Sequence, residues 1–170
     1  MRGRKYLVHP IGPGEPRRIA EAAGEPAHAR EFAPSRWVLG LAAAEVGGEG
    51  EEPGVPLGFY ALAHSGDPTC YDDTLIFVRP EARGRDLSFL LIYAAYGELL
   101  RTSLSFRLRE ATHHPRLRLF ARCGFAPPVR PLVDGKVEVG NFDVHAILSR
   151  IESEAEIVDV SLTPLPPPVH

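Results

Sequence analysis

One stretch limits what this chain can fold into more than any other: residues 75–100, LIFVRPEARGRDLSFLLIYAAYGELL. It begins with an apolar β-type run, Leu75-Ile76-Phe77-Val78, and passes through a loop containing arginine, proline and glycine. It then continues with apolar residues at helical spacing. Leu87, Leu90, Leu91, Ala94 and Ala95 form one stripe, and Phe89, Tyr93, Tyr96 and Leu100 form a second. A helix apolar on two sides must be covered on two sides, by a sheet and by something else. Leu104, Phe106 and Leu108 then alternate with polar neighbours, which reads as a strand. Strand, helix and strand in this order predict a right-handed parallel crossover. The joint between the first strand and the helix has its own chemistry. A helix start leaves backbone N–H groups unpaired and carries partial positive charge. Glycine lets backbone come close to a guest, and Arg83 and Arg85 add full charge. That combination suits an anion bearing phosphates.

The strand ending in Val78-Arg79-Pro80, the loop from Arg83-Gly84 and the paired Leu90-Leu91 resemble the acyl-coenzyme A loop of the GNAT superfamily of N-acetyltransferases. Further on, Leu119-Phe120-Ala121-Arg122-Cys123-Gly124-Phe125 is similar to the family's L-Y-x-K-x-G-F, which closes its next helix. The resemblance implies an α/β fold of GNAT type. That fold is a mixed, mostly antiparallel central sheet with flanking helices and a parallel crossover in the 75–109 unit. It implies acetyl-CoA or another acyl-CoA as donor and an amine, on a small molecule or a protein, as acceptor, with direct transfer between them. The cofactor-binding residues it implies are Phe77 and Val78 along the pantetheine arm, and Arg83, Gly84, Arg85, Asp86, Leu87 and Ser88 around the pyrophosphate. This chain departs from the family at Asp86 and Ser88, where glycines are usual, and at Phe120, where a tyrosine often serves as general acid. His113 and Arg116 replace the usual asparagine and alanine. A second expectation follows: a catalytically impaired GNAT-fold binding or assembly protein. In it the Asp86 carboxylate caps the helix and closes the CoA site.

Acyl transfer from a thioester to an amine needs a deprotonated amine and a proton for the leaving sulfur. Phe120 cannot donate one, so Tyr93 is the expected donor, with Tyr71, Tyr96 and Cys123 as further possibilities. Among bases, His113 is the leading histidine, because the resemblance puts it at the end of the strand facing the cleft. A water relay from Asp73 is the alternative. Glu45, His64, Asp72 and Glu110 are weaker candidates, each a surface or structural group on the plainer reading. The seven histidines show no paired ligand spacing with cysteine or carboxylate, so no metal is expected.

The formal net charge of -3 argues against bulk attraction to nucleic acid. Arg101, Arg107, Arg109, Arg116, Arg118 and Arg122 form a local basic face, either solvated or, on the resemblance, near the 3′-phosphate of CoA. No apolar run reaches the length of a membrane span, and the basic N-terminus lacks the apolar segment of a signal peptide. Two cysteines in 170 residues fit a reduced, cytoplasmic protein. Strands are expected at 6–8, 36–46, 55–64 and 75–78, the last three as a meander around the acidic loop 47–54, with Leu57, Phe59, Ala61 and Ala63 on one face. Residues 16–32 read as helix broken at Gly24 and Pro26, and 115–122 as a short basic helix. Final strands are expected at 129–139 and 142–149. The expected organisation is one GNAT-like domain, 1–150, and a tail, 151–170, acidic then proline-rich. The tail's 157–160 segment is a candidate edge strand, and its apolar end suggests a homodimer.

Overall fold

The computed structural model of the chain describes residues 5–47, 54–64, 66, 70–71, 73–100, 107–111, 117–118, 121, 130–131, 136–139 and 160–162. In chain order the elements are β1 (Lys5–Pro10), α1 (Glu15–Ala22), β2 (Trp37–Val46), β3 (Gly58–Ala63), β4 (Cys70–Tyr71), β5 (Asp73–Val78), α2 (Leu87–Leu100), β6 (Arg107–Ala111), β7 (Arg130–Pro131), β8 (Lys136–Val139) and β9 (Val160–Leu162). Three short 3-10 turns, Pro26–His28, Pro34–Arg36 and Pro80–Ala82, each begin with proline. Proline suits a first helical position, where its missing N–H would have no partner.

The strands form two sheets, ordered β5-β3-β2-β1-β9 and β4-β6-β8-β7. The expected meander is present: β2 pairs antiparallel with β3, and β3 with β5. β1 extends it on the far side of β2. β9 then adds in parallel to β1, with Tyr6 opposite Val160; of the expected edge strand at 157–160, residue 160 is in β9 and 157–159 lie outside the described residues. In the second sheet β4 pairs in parallel with β6, Cys70 opposite Arg107 and Tyr71 opposite Leu108. β8 lies antiparallel to both β6 and β7. The parallel crossover therefore closes on residues 70–71, not on the apolar run 75–78. One residue separates β4 in one sheet from β5 in the other. Past that point, among the described residues, β5 pairs only with β3, and its other edge is free.

The first sheet is covered on both faces. Tyr6, Val8, Leu41, Ala43, Tyr60 and Leu62 face the α2 side, with Leu87, Leu90, Leu91, Ala94, Ala95 and Tyr96. Ala42, Phe59, Ala61, Ala63 and Phe77 face the other side, with Ile19 and Ala20 of α1 and with Phe32. Two-sided burial explains why β2 and β3 read as nearly continuous apolar runs. Both stripes of α2 contribute, since Phe89 and Tyr96 of the second are buried with the first, and Ile92 and Leu99, in neither stripe, are buried as well. Leu57 departs from the expected face: it packs with the α2 cluster. It precedes β3, and its N–H donates to the Ala43 carbonyl at 2.7 Å, so the strand's alternation does not extend to it. Gly58 sits where a Cβ would lie 2.5 Å from the Phe77 carbonyl oxygen. Only glycine lets β3 come this close to the end of β5. The expected strand at 142–149 lies outside the described residues. Of the 115–122 segment, Leu117, Arg118 and Ala121 are described, and they are helical. Among the described residues no helix is long and apolar enough to cross a membrane.

Candidate active site

The free edge of β5 presents its backbone in a defined phase. The Arg79 N–H donates to the Leu57 carbonyl at 2.8 Å, so Arg79 faces inward, toward β3. Along a strand the backbone groups of successive residues point to opposite edges. Phe77 therefore also faces inward, and the N–H and C=O groups of Ile76 and Val78 face the free edge. The Val78 carbonyl accepts a hydrogen bond from Arg83 Nε at 3.2 Å, which comes from the loop and not from the sheet.

The loop continues the same line. After the Pro80–Ala82 turn, the N–H groups of residues 84–88 have no hydrogen-bond partner among the described residues. The N–H groups of Phe89 and Leu90 are the first to be held, both by the Asp86 carbonyl, at 3.0 and 3.1 Å. Gly84 and Asp86 both have positive φ, 77° and 55°. Asp86 caps the helix with its carbonyl alone. Its carboxylate is exposed and takes no hydrogen bond or ion pair among the described residues. This corrects the expected side-chain cap. That cap needs an N-cap residue with extended backbone, whereas Asp86 is in the left-handed region, which aspartate tolerates better than most side chains. The amides are left open.

Charge surrounds these amides. Arg85 Nη1 lies 3.4 Å from Glu45 Oε2 on β2, and its Nη2 donates to the Glu81 carbonyl at 3.0 Å. Arg83 Nη2 lies 3.9 Å from Glu25 Oε1. Arg79 Nη1 lies 3.6 Å from Glu81 Oε1, while its Nε is buried without a hydrogen bond. The pairs of Arg83 and Arg85 are partly exposed and hold weakly, so a polyanion can compete for those two arginines. Beside the strand edge lies a cavity of about 250 Å³ lined by His28, Ile76, Phe77, Val78, Arg83 and Ser88. The His28 ring sits 5.4 Å from the Phe77 ring, tilted by 40°.

The cofactor-binding candidates thus meet in one place. Phe77, Val78, Arg83 and Ser88 line the cavity, and Gly84, Arg85, Asp86 and Leu87 supply the amides next to it. The Leu87 side chain is buried in the core, so only its backbone faces a guest. Of the catalytic candidates, Tyr93 does not join them. Asp73 opens β5 opposite Ala63, three residues before Ile76. Tyr93 is half-buried on α2 against the core and is not a lining residue. His113 lies outside the described residues. His28 is the residue that sequence reasoning misses. Its signal is slight: Glu25, a proline and a histidine together just after a helix break. No group of His, Cys, Asp and Glu among the described residues could hold a metal ion.

No protein-family model and no curated protein matches the chain. Solved structures do. Over 95% of both chains it is similar to BjaI, a CoA-dependent acyl-homoserine lactone synthase with SAM and isopentyl-CoA bound, at 15% identity and a TM-score of 0.58. A putative acetyltransferase of the GNAT family from Desulfovibrio desulfuricans matches 82% of this chain and 99% of its own, at 15% identity and TM-score 0.55. YhbS, a GNAT family N-acetyltransferase from Escherichia coli in complex with CoA, matches 86% of this chain and 87% of its own, at 16% identity and TM-score 0.52. The chain has the GNAT fold. Two of these GNAT-fold structures hold CoA or an acyl-CoA.

Proposed function

We propose that the chain binds an acyl-CoA along the free edge of β5 and transfers its acyl group directly to an amine. One observation carries this reading: the outward backbone of Ile76 and Val78 is followed, after the Pro80–Ala82 turn, by the unpartnered amides of residues 84–88. A pantetheine arm carries amides that can complete the strand edge, as an added strand would. Its pyrophosphate then reaches a helix start with open donors and two arginines. Arg83 gives up the Val78 carbonyl to the arm and turns to the phosphates. Acetyl-CoA is the simplest donor, and the acceptor is an amine on a small molecule or a protein. For the proton steps the sequence offers Asp73, Tyr93 and His113, and the cavity offers His28. The acyltransferase unit is residues 1–150, with β9 from the tail completing one sheet edge, and the low cysteine content fits the cytoplasm. A binding protein closed by Asp86 is the weaker reading, because it needs the carboxylate on amides that are open.

Calorimetric titration of acetyl-CoA and of free CoA into the purified protein tests the proposal. Saturable binding of both at micromolar concentration is expected, competed by added pyrophosphate. Absence of binding by the wild type and by Asp86→Asn would overturn it.

A further inference from the structure

We propose that His28 takes the proton of the attacking amine and that Glu25 positions its ring, an inference that rests on the acyl-CoA reading above. Glu25 and His28 flank a single 3-10 turn, closed by the His28 N–H donating to the Glu25 carbonyl at 3.0 Å. Side chains three apart on such a turn lie over one another, and here Glu25 Oε2 stands 3.7 Å from His28 Nδ1. Nδ1 is buried and makes no hydrogen bond among the described residues, yet the side chain as a whole is 41% exposed. The ring therefore opens to ligand or solvent through its other edge. The cavity it lines is bounded by Ile76, Phe77 and Val78, the residues along which the acyl arm is proposed to lie. The His28 ring packs against the Phe77 ring. The charged groups beside it are Glu25 and, through Glu25, Arg83.

The step balances. The amine nitrogen attacks the thioester carbonyl carbon, the C–N bond forms, and the carbonyl π electrons move to oxygen. The proton on nitrogen passes to His28. The intermediate collapses, the C–S bond breaks, and the thiolate takes the proton from the imidazolium, leaving amide and CoA thiol. Glu25 lies over the Nδ1 edge and holds the ring with its other edge toward the cavity. No acceptor is needed to test this placement.

Bromoacetyl-CoA sets an electrophilic carbon where the acyl group lies, and a histidine nitrogen within reach displaces bromide and becomes covalently bonded. The full chain is incubated with this probe, and the adduct is located by peptide mass spectrometry, with free-CoA affinity measured in parallel. We expect the adduct on His28, and slower labelling in Glu25→Gln, where the ring is less well placed. His28→Gln should lose the adduct while still binding CoA. CoA binding with the adduct on Cys70, Cys123, His113 or no residue would overturn the role of His28 and leave the acyl-CoA reading standing. No CoA binding at all would remove that reading and this inference with it.

Discussion

Replacing Asp86 by glycine and by alanine reads out the backbone at the mouth of the site. At φ 55° an L-residue is strained by about 1–2 kcal/mol, with aspartate near the lower end because its short polar side chain tolerates the conformation. The exposed carboxylate makes no hydrogen bond or ion pair that offsets this among the described residues. Glycine removes the strain but gains about 0.5–1 kcal/mol of freedom in the unfolded chain, so Asp86→Gly should match the wild type or exceed it slightly. Alanine keeps the strain and should lose about 1 kcal/mol relative to glycine. At an ordinary helix position the order is reversed, glycine being worse than alanine by about 1 kcal/mol, so the sign alone decides. The gap corresponds to roughly 2–4 °C in melting temperature for a domain of this size, and urea unfolding with a common m-value measures it directly. An alanine variant as stable as the glycine variant would refute the left-handed assignment. Asp86→Asn separates charge from backbone. It should leave stability unchanged and tighten acetyl-CoA binding about fivefold, since a unit charge at roughly 4 Å in water contributes about 1 kcal/mol.

Other outcomes follow from the same geometry. Gly58→Ala places a Cβ 2.5 Å from the Phe77 carbonyl oxygen. It should cost about 1–3 kcal/mol in urea unfolding and weaken acetyl-CoA binding too, because β5 must move. Wild-type stability in that variant would contradict the close approach. The Tyr60 and Tyr96 hydroxyls lie 3.2 Å apart in the core, so Tyr60→Phe should cost about 1 kcal/mol. A double-mutant cycle with Tyr96→Phe should give a coupling of about 0.5–1 kcal/mol, and strict additivity would mean the pair contributes nothing. Arg83→Ala should weaken CoA binding about tenfold, the effect of one charge-assisted hydrogen bond. Titration checks it, and an unchanged affinity would remove Arg83 from the phosphate site.

The strand–loop–helix unit at 75–100 is legible in sequence because two periods succeed each other within it, alternation and then helical spacing, with an anion-binding joint between them. The meander is legible for a similar reason. Pairing partners are not. Residues 75–78 look like half of the parallel crossover, yet that pairing falls on Cys70 and Tyr71. A strand buried on both faces carries no mark of which edge is occupied. Asp86 shows a second limit: aspartate before a helix predicts a side-chain cap, but loop geometry fixes φ and moves the cap to the carbonyl. His28 shows a third. It gains meaning only from Phe77 and Arg83, which are far along the chain and become neighbours through the fold. An edge strand from the tail is legible in its apolar run, but its partner β1 is a long-range pairing that the run does not name.

Backbone amide hydrogen exchange, measured by NMR with and without acetyl-CoA, tests the central claim most directly. The amides of Ile76, Val78 and residues 84–88 should exchange fast in the free protein and become protected together on binding. Phe77 and Arg79, which face β3, should change little. Protection that falls elsewhere, or that spares Ile76 and Val78 while ligand is bound, would contradict a donor lying along the free edge of β5.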